Sequence, residues 1–419
     1  MVCAVVAILA ISLSAAGTPT ELAVKGRSNT TPSIGADGDF VAIAWGASTP
    51  AGLTDVYAAV SADGARTFGA PVRVNDVDGE ARLNGEQPPR VAVRNRIITV
   101  VWTAKSAAGT KLVQARSDDG GKTFAKSRPV PGADAAGNRG WQNAVADRSG
   151  RVYAMWLDHR ELARQDGPVA ASHHDHAASA GARPDGVAMA QRSKLYVASL
   201  DGAVAPRALL GGVCYCCKTA LATSADGAIV AAWRHVYPGN IRDIAFTMSR
   251  DGGNTFAVPL RVSEDKWVLE GCPDDGPAMA VDAKNRIHIV WPTLITEGTA
   301  ESTIALFYAT SVDGKRFTPR RRIPSEGMPH HPQIATGLDG SLTIAWDEGV
   351  NGTRRVAMVR TTVDAAARAI TARTVVSDSA VYPAVAAARD ATVLVWTSSP
   401  GPASVIRVER LTNVTGAGS

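Results

Sequence analysis

The stretch Ser249-Arg250-Asp251-Gly252-Gly253-Asn254-Thr255-Phe256 sits between two alternating apolar runs and has close copies elsewhere in the chain. They are Ser61-Ala62-Asp63-Gly64-Ala65-Arg66-Thr67-Phe68, Ser117-Asp118-Asp119-Gly120-Gly121-Lys122-Thr123-Phe124 and a clipped Ser311-Val312-Asp313-Gly314-Lys315-Arg316-Phe317. Ser and Asp can bond the amides of such a turn, Gly supplies positive φ, and Phe anchors the outgoing strand. An internal repeat of this kind decides architecture before any single residue does.

A second repeat runs in step with the first. Apolar strands ending in Trp recur at Trp45, Trp102, Trp156, Trp233, Trp291, Trp346 and Trp396. Each follows a short strand and a tight turn, and six lead into a third strand and then a turn of the Ser-x-Asp type, or a decayed one such as Ser199-Leu200-Asp201-Gly202. Four short strands per unit predict an all-β β-propeller of four-stranded blades. The last unit holds three strands, and the run Glu21-Leu22-Ala23-Val24-Lys25 can supply the fourth and close the ring. The expectation is seven blades, with six as the alternative.

The pattern S-x-D-x-G-x-T-F resembles the Asp box, or BNR repeat, of the sialidase superfamily, with Asp63, Asp119, Asp251 and Asp313 as the box aspartates. The resemblance implies a propeller and an exo-α-sialidase-like glycosidase. It also implies an arginine triad for a substrate carboxylate, a Tyr–Glu nucleophile pair and an Asp acid/base. Sialidases of this superfamily usually have six blades, and their F/Y-R-I-P motif opens the first. Here Arg322-Ile323-Pro324 comes late in the chain, so no catalytic residue is carried over.

Composition fits a ring of short buried strands: 45 % of the 419 residues are hydrophobic and 20 % charged, with a formal net charge of +5. The surplus is spread out, and neither a nucleotide-binding loop nor a nucleic-acid module is present. Residues 1–16 hold an apolar run ending in small residues. It is too short for a membrane span and reads as a secretory signal peptide, ahead of a single propeller domain over 17–419. Removing it leaves four cysteines, and the Ala-rich, Lys-poor chain reads as bacterial, periplasmic or secreted, and monomeric.

The Ser-x-Asp turns also act as a compass. They join third to fourth strands at one end of the ring, so the opposite end collects the segments after each Trp and those leading into each first strand. That end holds all four remaining cysteines and seven of the eight histidines. Cys214, Cys216, Cys217, Cys272, His330 and His331 therefore form a candidate metal site, for which thiolate and imidazole would suit copper(I) or zinc. The competing reading is disulfides, Cys214 or Cys217 pairing with Cys272. His173, His174 and His176 lie in an insertion over residues 163–189. The same end carries Arg160, Arg234 and Arg242 as an anion clamp, Tyr215, Tyr237 and Tyr382 as tyrosines, and Asp158, Glu86 and Glu270 as carboxylates. Three functions follow: binding of a small molecule, glycan or metal at this mouth, hydrolysis of acidic sugars, or a protein-interaction scaffold. The concentration of Cys and His favours binding.

Overall fold

The computed structural model describes residues 19–162, 186–269, 271, 273–296 and 302–412. The signal-peptide segment, the three insertion histidines, Glu270 and Cys272 lie outside the described residues.

Seven four-stranded antiparallel sheets follow one another along the chain. Their first strands are Ser28–Asp37, Arg90–Arg94, Arg139–Ala146, Ala220–Thr223, Ala278–Val281, Met328–Thr336 and Ala380–Ala387. These adjoin one another in circular order, the last against the first, and so line a central channel. Six sheets are built in simple sequence order. In the seventh, Thr20–Leu22 pairs with Val405–Thr412, the final strand, with Glu21 opposite Arg407. Pairing these two strands completes the seventh blade and ties the ring shut. The result is a seven-bladed β-propeller, the architecture that the sialidase resemblance implies, with seven blades where six was the alternative.

The Trp repeat is the packing element between blades. All seven indoles sit on second strands and are buried. A buried indole N–H usually finds an acceptor, and five of the seven do, while Trp102 and Trp396 leave Nε1 without one. Trp45 donates to Asn29 (2.9 Å), Trp156 to Asp158 (3.1 Å), Trp291 to Asp265 (2.6 Å) and Trp346 to Glu348 (2.9 Å). Three of these four acceptors are carboxylates buried for a structural reason.

The Ser-x-Asp turns close as their chemistry requires. Ser249 Oγ donates to Asp251 Oδ1 (2.8 Å) and accepts from the Gly253 amide (2.9 Å). Asp251 accepts from the Thr255 amide (2.9 Å) and hydroxyl (2.6 Å). Gly252 and Gly253 take φ of 68° and 85°, where a side chain would be strained. The bonds around Asp63 and Asp119 repeat the pattern, whereas the turn at Asp313 lacks the threonine bonds and keeps the amide contacts and a longer bond from Ser311 Oγ (3.3 Å).

Candidate functional site

Strand register places one residue of every blade on the channel mouth. In each blade, one residue of the first strand lies opposite the residue preceding the Trp: Ser33, Arg90, Asn143, Ala220, Ala278, Gln333 and Ala384. Two positions earlier stand Thr31, Pro88, Trp141, Lys218, Gly276, His331 and Tyr382. In four of these blades the register slips at this point, and Thr31, Trp141, His331 and Tyr382 adopt φ of 52°, 54°, 49° and 55°. Left-handed backbone costs a non-glycine residue about 1–2 kcal/mol. Such strain, held at equivalent positions by a packed frame, is a recognised mark of a functional site.

The loop between the first two blades lies across this mouth. Its Glu86 is buried and reaches two blades beyond its neighbours: Oε2 accepts from the amides of Lys218 (2.7 Å) and Gly276 (2.9 Å), and Oε1 from Lys218 Nζ (3.1 Å). Gly85 touches the sixth and seventh blades, since a Cβ there would fall 2.4 Å from both His331 Nε2 and Tyr382 Cε1. Loop residues 85–86 therefore plug the channel and tie four blades together.

Around the plug runs a chain of buried charges. Asp275 accepts from the His331 amide (2.9 Å) and pairs with His330 Nδ1 (2.5 Å). His331 Nδ1 bonds Asp347 (2.8 Å), which also pairs with Arg354, and the Tyr382 ring stands edge-on to His331 at 4.9 Å. Burial opposes ionisation of Asp275, but His330, His331 and Lys218 outweigh it and lower its pKa. Burial likewise opposes ionisation of Asp347, and His331 with Arg354 prevails. For His331 burial favours the neutral ring, yet Asp347, Asp275 and Glu86 together raise its pKa. Burial raises Tyr382, helped by Asp347. The surroundings thus favour the protonated form of both His331 and the Tyr382 phenol.

Two further buried groups face this region without a full set of partners. Arg90 is pushed down to about 10 by burial, against the pull of Glu86, and one of its terminal nitrogens has no hydrogen-bond partner. His159 packs on Trp141 (5.0 Å between centroids), is pushed down to about 4 by burial, and leaves Nε2 unpartnered.

The cysteines occupy the next stretch of the mouth. Cys216 is disulfide-bonded, and Cys214 and Cys217 carry free buried thiols. This corrects the pairing expected from sequence, in which Cys214 or Cys217 would be the bonded residue. The three sulfurs lie within 4.8 Å of one another, as do ligand atoms of Glu86, Asp275 and His331. By spacing, either group could hold a metal. The donors of the second group are already engaged, however: Glu86 by Lys218 and Gly276, Asp275 by both histidines, and His331 Nδ1 by Asp347. A metal there would have to displace the plug, so that set does not fit one. In the first group the disulfide removes one thiolate and leaves two.

The arginines expected to clamp an anion bond protein groups, although Arg242 leaves Nη2 without a partner. Arg234 donates to the carbonyls of Asp275, Arg242 and Pro292 and stacks on Trp267, stapling two blades. Arg242 bonds Asn240, the Leu269 carbonyl and Cys214 Sγ. Arg160 is bound by Asp158 and the Gly132 carbonyl and lies over Tyr196. Asp158 itself holds Trp156, Arg139 and Arg160. Tyr237 packs over Arg261 of its blade's outermost strand. Of the sequence candidates, the structure brings Cys214, Cys216 and Cys217 together in one cluster, and His330 and His331 in another with Glu86 and Tyr382. Asp347 and Arg354, arginine and carboxylate residues of the post-Trp loops, join them, and Trp141, Lys218 and Asp275, which residue type did not single out, complete the mouth.

No family model matches the chain, and no curated protein matches it. Among solved structures it is similar to a protein of unknown function from Dyadobacter fermentans, at 13 % identity and TM-score 0.52, covering 95 % of this chain and 99 % of that one. It is also similar to an ulvan lyase of polysaccharide lyase family PL25 bound to -[GlcA(1-4)Rha3S]-, at 11 % identity and TM-score 0.55, covering 95 % and 94 %. A third is the GH93 α-L-arabinofuranosidase of Fusarium graminearum in complex with arabinobiose, at 10 % identity and TM-score 0.50, covering 84 % and 99 %. At these identities the likeness is one of fold.

Proposed function

We propose that this chain is a carbohydrate-active propeller that takes an acidic glycan at the plugged mouth, with His331 and Tyr382 as its proton-handling pair. One observation carries the reading. A single structural position, repeated around the ring, presents an aromatic face (Trp141), an imidazole (His331) and a phenol (Tyr382), beside a hydroxyl (Thr31) and an amine (Lys218) that are held by the Thr30 carbonyl and by Glu86. A sugar needs such a set: polar groups for its hydroxyls, an aromatic face for its C–H surface, and cationic charge for a carboxylate. Carbohydrate ligands in two propellers of the same fold support it. The apolar run in residues 2–16 supports export as part of the proposal.

A sialidase-type hydrolysis is less well supported, because Arg160, Arg234 and Arg242 are bound to protein groups. The test is a panel of glucuronate-containing polysaccharide, arabinan and a fluorogenic sialoside, scored by calorimetry and product release. Binding or turnover of an acidic member, weakened at least tenfold by Tyr382→Phe at unchanged melting temperature, is expected. Silence across the panel, or a wild-type response from Tyr382→Phe, refutes it.

A second reading, a copper(I) or zinc site on the thiols, is favoured by the convergence of the three sulfurs. It requires reduction of Cys216 or a two-thiolate site, and metal analysis of the purified protein tests it.

A further inference from the structure

We propose that Cys214 and Cys217 are a redox-active dithiol, a C-x-x-C pair that closes into a second disulfide beside the standing one of Cys216. The inference is independent of the glycan reading.

Three observations carry it. The first is distance and polarity: Cys217 Sγ donates to Cys214 Sγ at 3.4 Å, shorter than the 3.9 Å and 4.0 Å that separate Cys216 from either. Closing the pair to about 2.05 Å shortens an existing contact by about 1.4 Å. The backbone around it is already pinned, Cys214 N to the Arg234 carbonyl (2.9 Å) and Val236 N to that of Gly212 (2.8 Å).

The second is the counter-charge. Arg242 is fully buried, bonds no carboxylate among the described residues, and directs Nη1 at Cys214 Sγ from 3.3 Å. A buried guanidinium without an anion is costly, and a Cys214 thiolate supplies one. Cys214, facing Arg242 and accepting from Cys217, is placed as the nucleophile, and Cys217, which donates to it, as the resolving thiol.

The third is position. The sulfurs pack against Ala190 of the helix Gly186–Arg192 and against Val236, and Cys217 directly precedes Lys218, whose amide and ammonium hold Glu86. Closure of the pair acts on the plug through that one peptide bond.

The oxidant is a low-molecular-weight disulfide, RSSR. The Cys214 thiolate attacks one of its sulfurs, the S–S bond breaks, and RS⁻ leaves and takes a proton from water. Cys217 then loses its proton, its thiolate attacks Cys214 Sγ, and the second RS⁻ departs. Two electrons pass from the cysteine pair to RSSR, giving two RSH.

The test uses the full chain, equilibrated in glutathione buffers from reducing to oxidising, quenched in acid, alkylated and digested. Cleavage after Arg207 and Lys218 releases all three cysteines in the peptide 208–218. Cys214 and Cys217 should be alkylated together at the reducing end and lose alkylation together at the oxidising end. Cys217→Ser should trap glutathione on Cys214, and Cys214→Ser should leave Cys217 alkylated throughout. Two results overturn the proposal in the wild-type protein alone. One is full alkylation of both thiols in oxidising buffer. The other is retention of one zinc or copper per chain that keeps them unreactive.

Discussion

Replacing Glu86 by glutamine separates charge from geometry at the plug. One oxygen, Oε2, accepts both backbone amides, from Lys218 and Gly276, while Oε1 takes the Lys218 ammonium. A glutamine with its carbonyl in the Oε2 place keeps both amide bonds and turns an NH₂ group toward the ammonium. Both side chains of the pair are 2 % exposed, so water cannot compensate. Breaking a buried ion pair from one side costs about 3–5 kcal/mol. Unfolding entropy of roughly 2.1 cal/mol/K per residue makes each kcal/mol worth only about 1 °C in a chain of this size, so the expected fall in melting temperature is ~3–6 °C. Adding Lys218→Met removes the stranded ammonium and should restore more than half of that loss, because a pair removed whole costs far less than a pair broken. Scanning calorimetry of the wild type, both single variants and the double variant measures the coupling. A Glu86→Gln protein that melts within 1 °C of wild type, or a double variant showing the full sum of the single losses, would refute the plug.

Protonated His331 should give the fold a pH-dependent component. Its raised pKa, set against burial by Asp347, Asp275 and Glu86, means the contribution is complete below the unfolded value of about 6.5 and is lost as pH rises through the folded value. Melting temperature should therefore fall as pH rises above about 6.5, and Asp347→Asn should flatten that fall. Gly85→Ala would place a methyl 2.4 Å from both His331 Nε2 and Tyr382 Cε1. It should weaken any ligand that depends on these two residues at least tenfold in calorimetric titration, while blades remote from the mouth keep their hydrogen-exchange protection. Ser249→Ala removes the bond to Asp251 and the acceptor for the Gly253 amide. About 1 kcal/mol of stability should go, read as a small drop in denaturation midpoint with ligand binding intact.

Much of the fold was legible because its signals are local. The Ser-x-Asp turn is closed by bonds that span no more than four residues, and each Trp strand carries its own alternation. Ring closure was legible for a different reason: a unit short of one strand must find an edge partner, and the N-terminal run was the apolar piece left over. The strand that forms, Thr20–Leu22, is shorter than the run from Glu21 to Lys25, since Asn29 takes over the Val24 amide at 2.9 Å and the chain turns into the first blade. The cysteine pairing was not legible, because three cysteines within four positions offer the same loop closure and differ only in where each side chain points.

The mouth resisted a reading by residue type for a physical reason that also shows where its signal lies. Buried arginines and aspartates looked like a substrate clamp, yet Asp158 serves Trp156 and Arg234 serves three carbonyls, needs that arise from packing flat blades around a channel. Residue type cannot distinguish a guanidinium that staples backbones from one that waits for a ligand. Position can. Pro32, Pro89, Pro277, Pro332 and Pro383 occupy one register position in five of the blades, each 13 or 14 residues ahead of its Trp, with Gln142 and Thr219 in the other two. The residue before that position is different in every blade: Thr31, Pro88, Trp141, Lys218, Gly276, His331 and Tyr382. A propeller repeats whatever the ring requires, so a position with the same backbone role in each blade and no shared side chain is free of that requirement. Where four of those unlike side chains are also held at positive φ, the strain is borne for something other than the ring. The Ser-x-Asp turns, nearly identical from blade to blade, carry the architecture, and the unrepeated residues at the opposite end are where a ligand is to be sought.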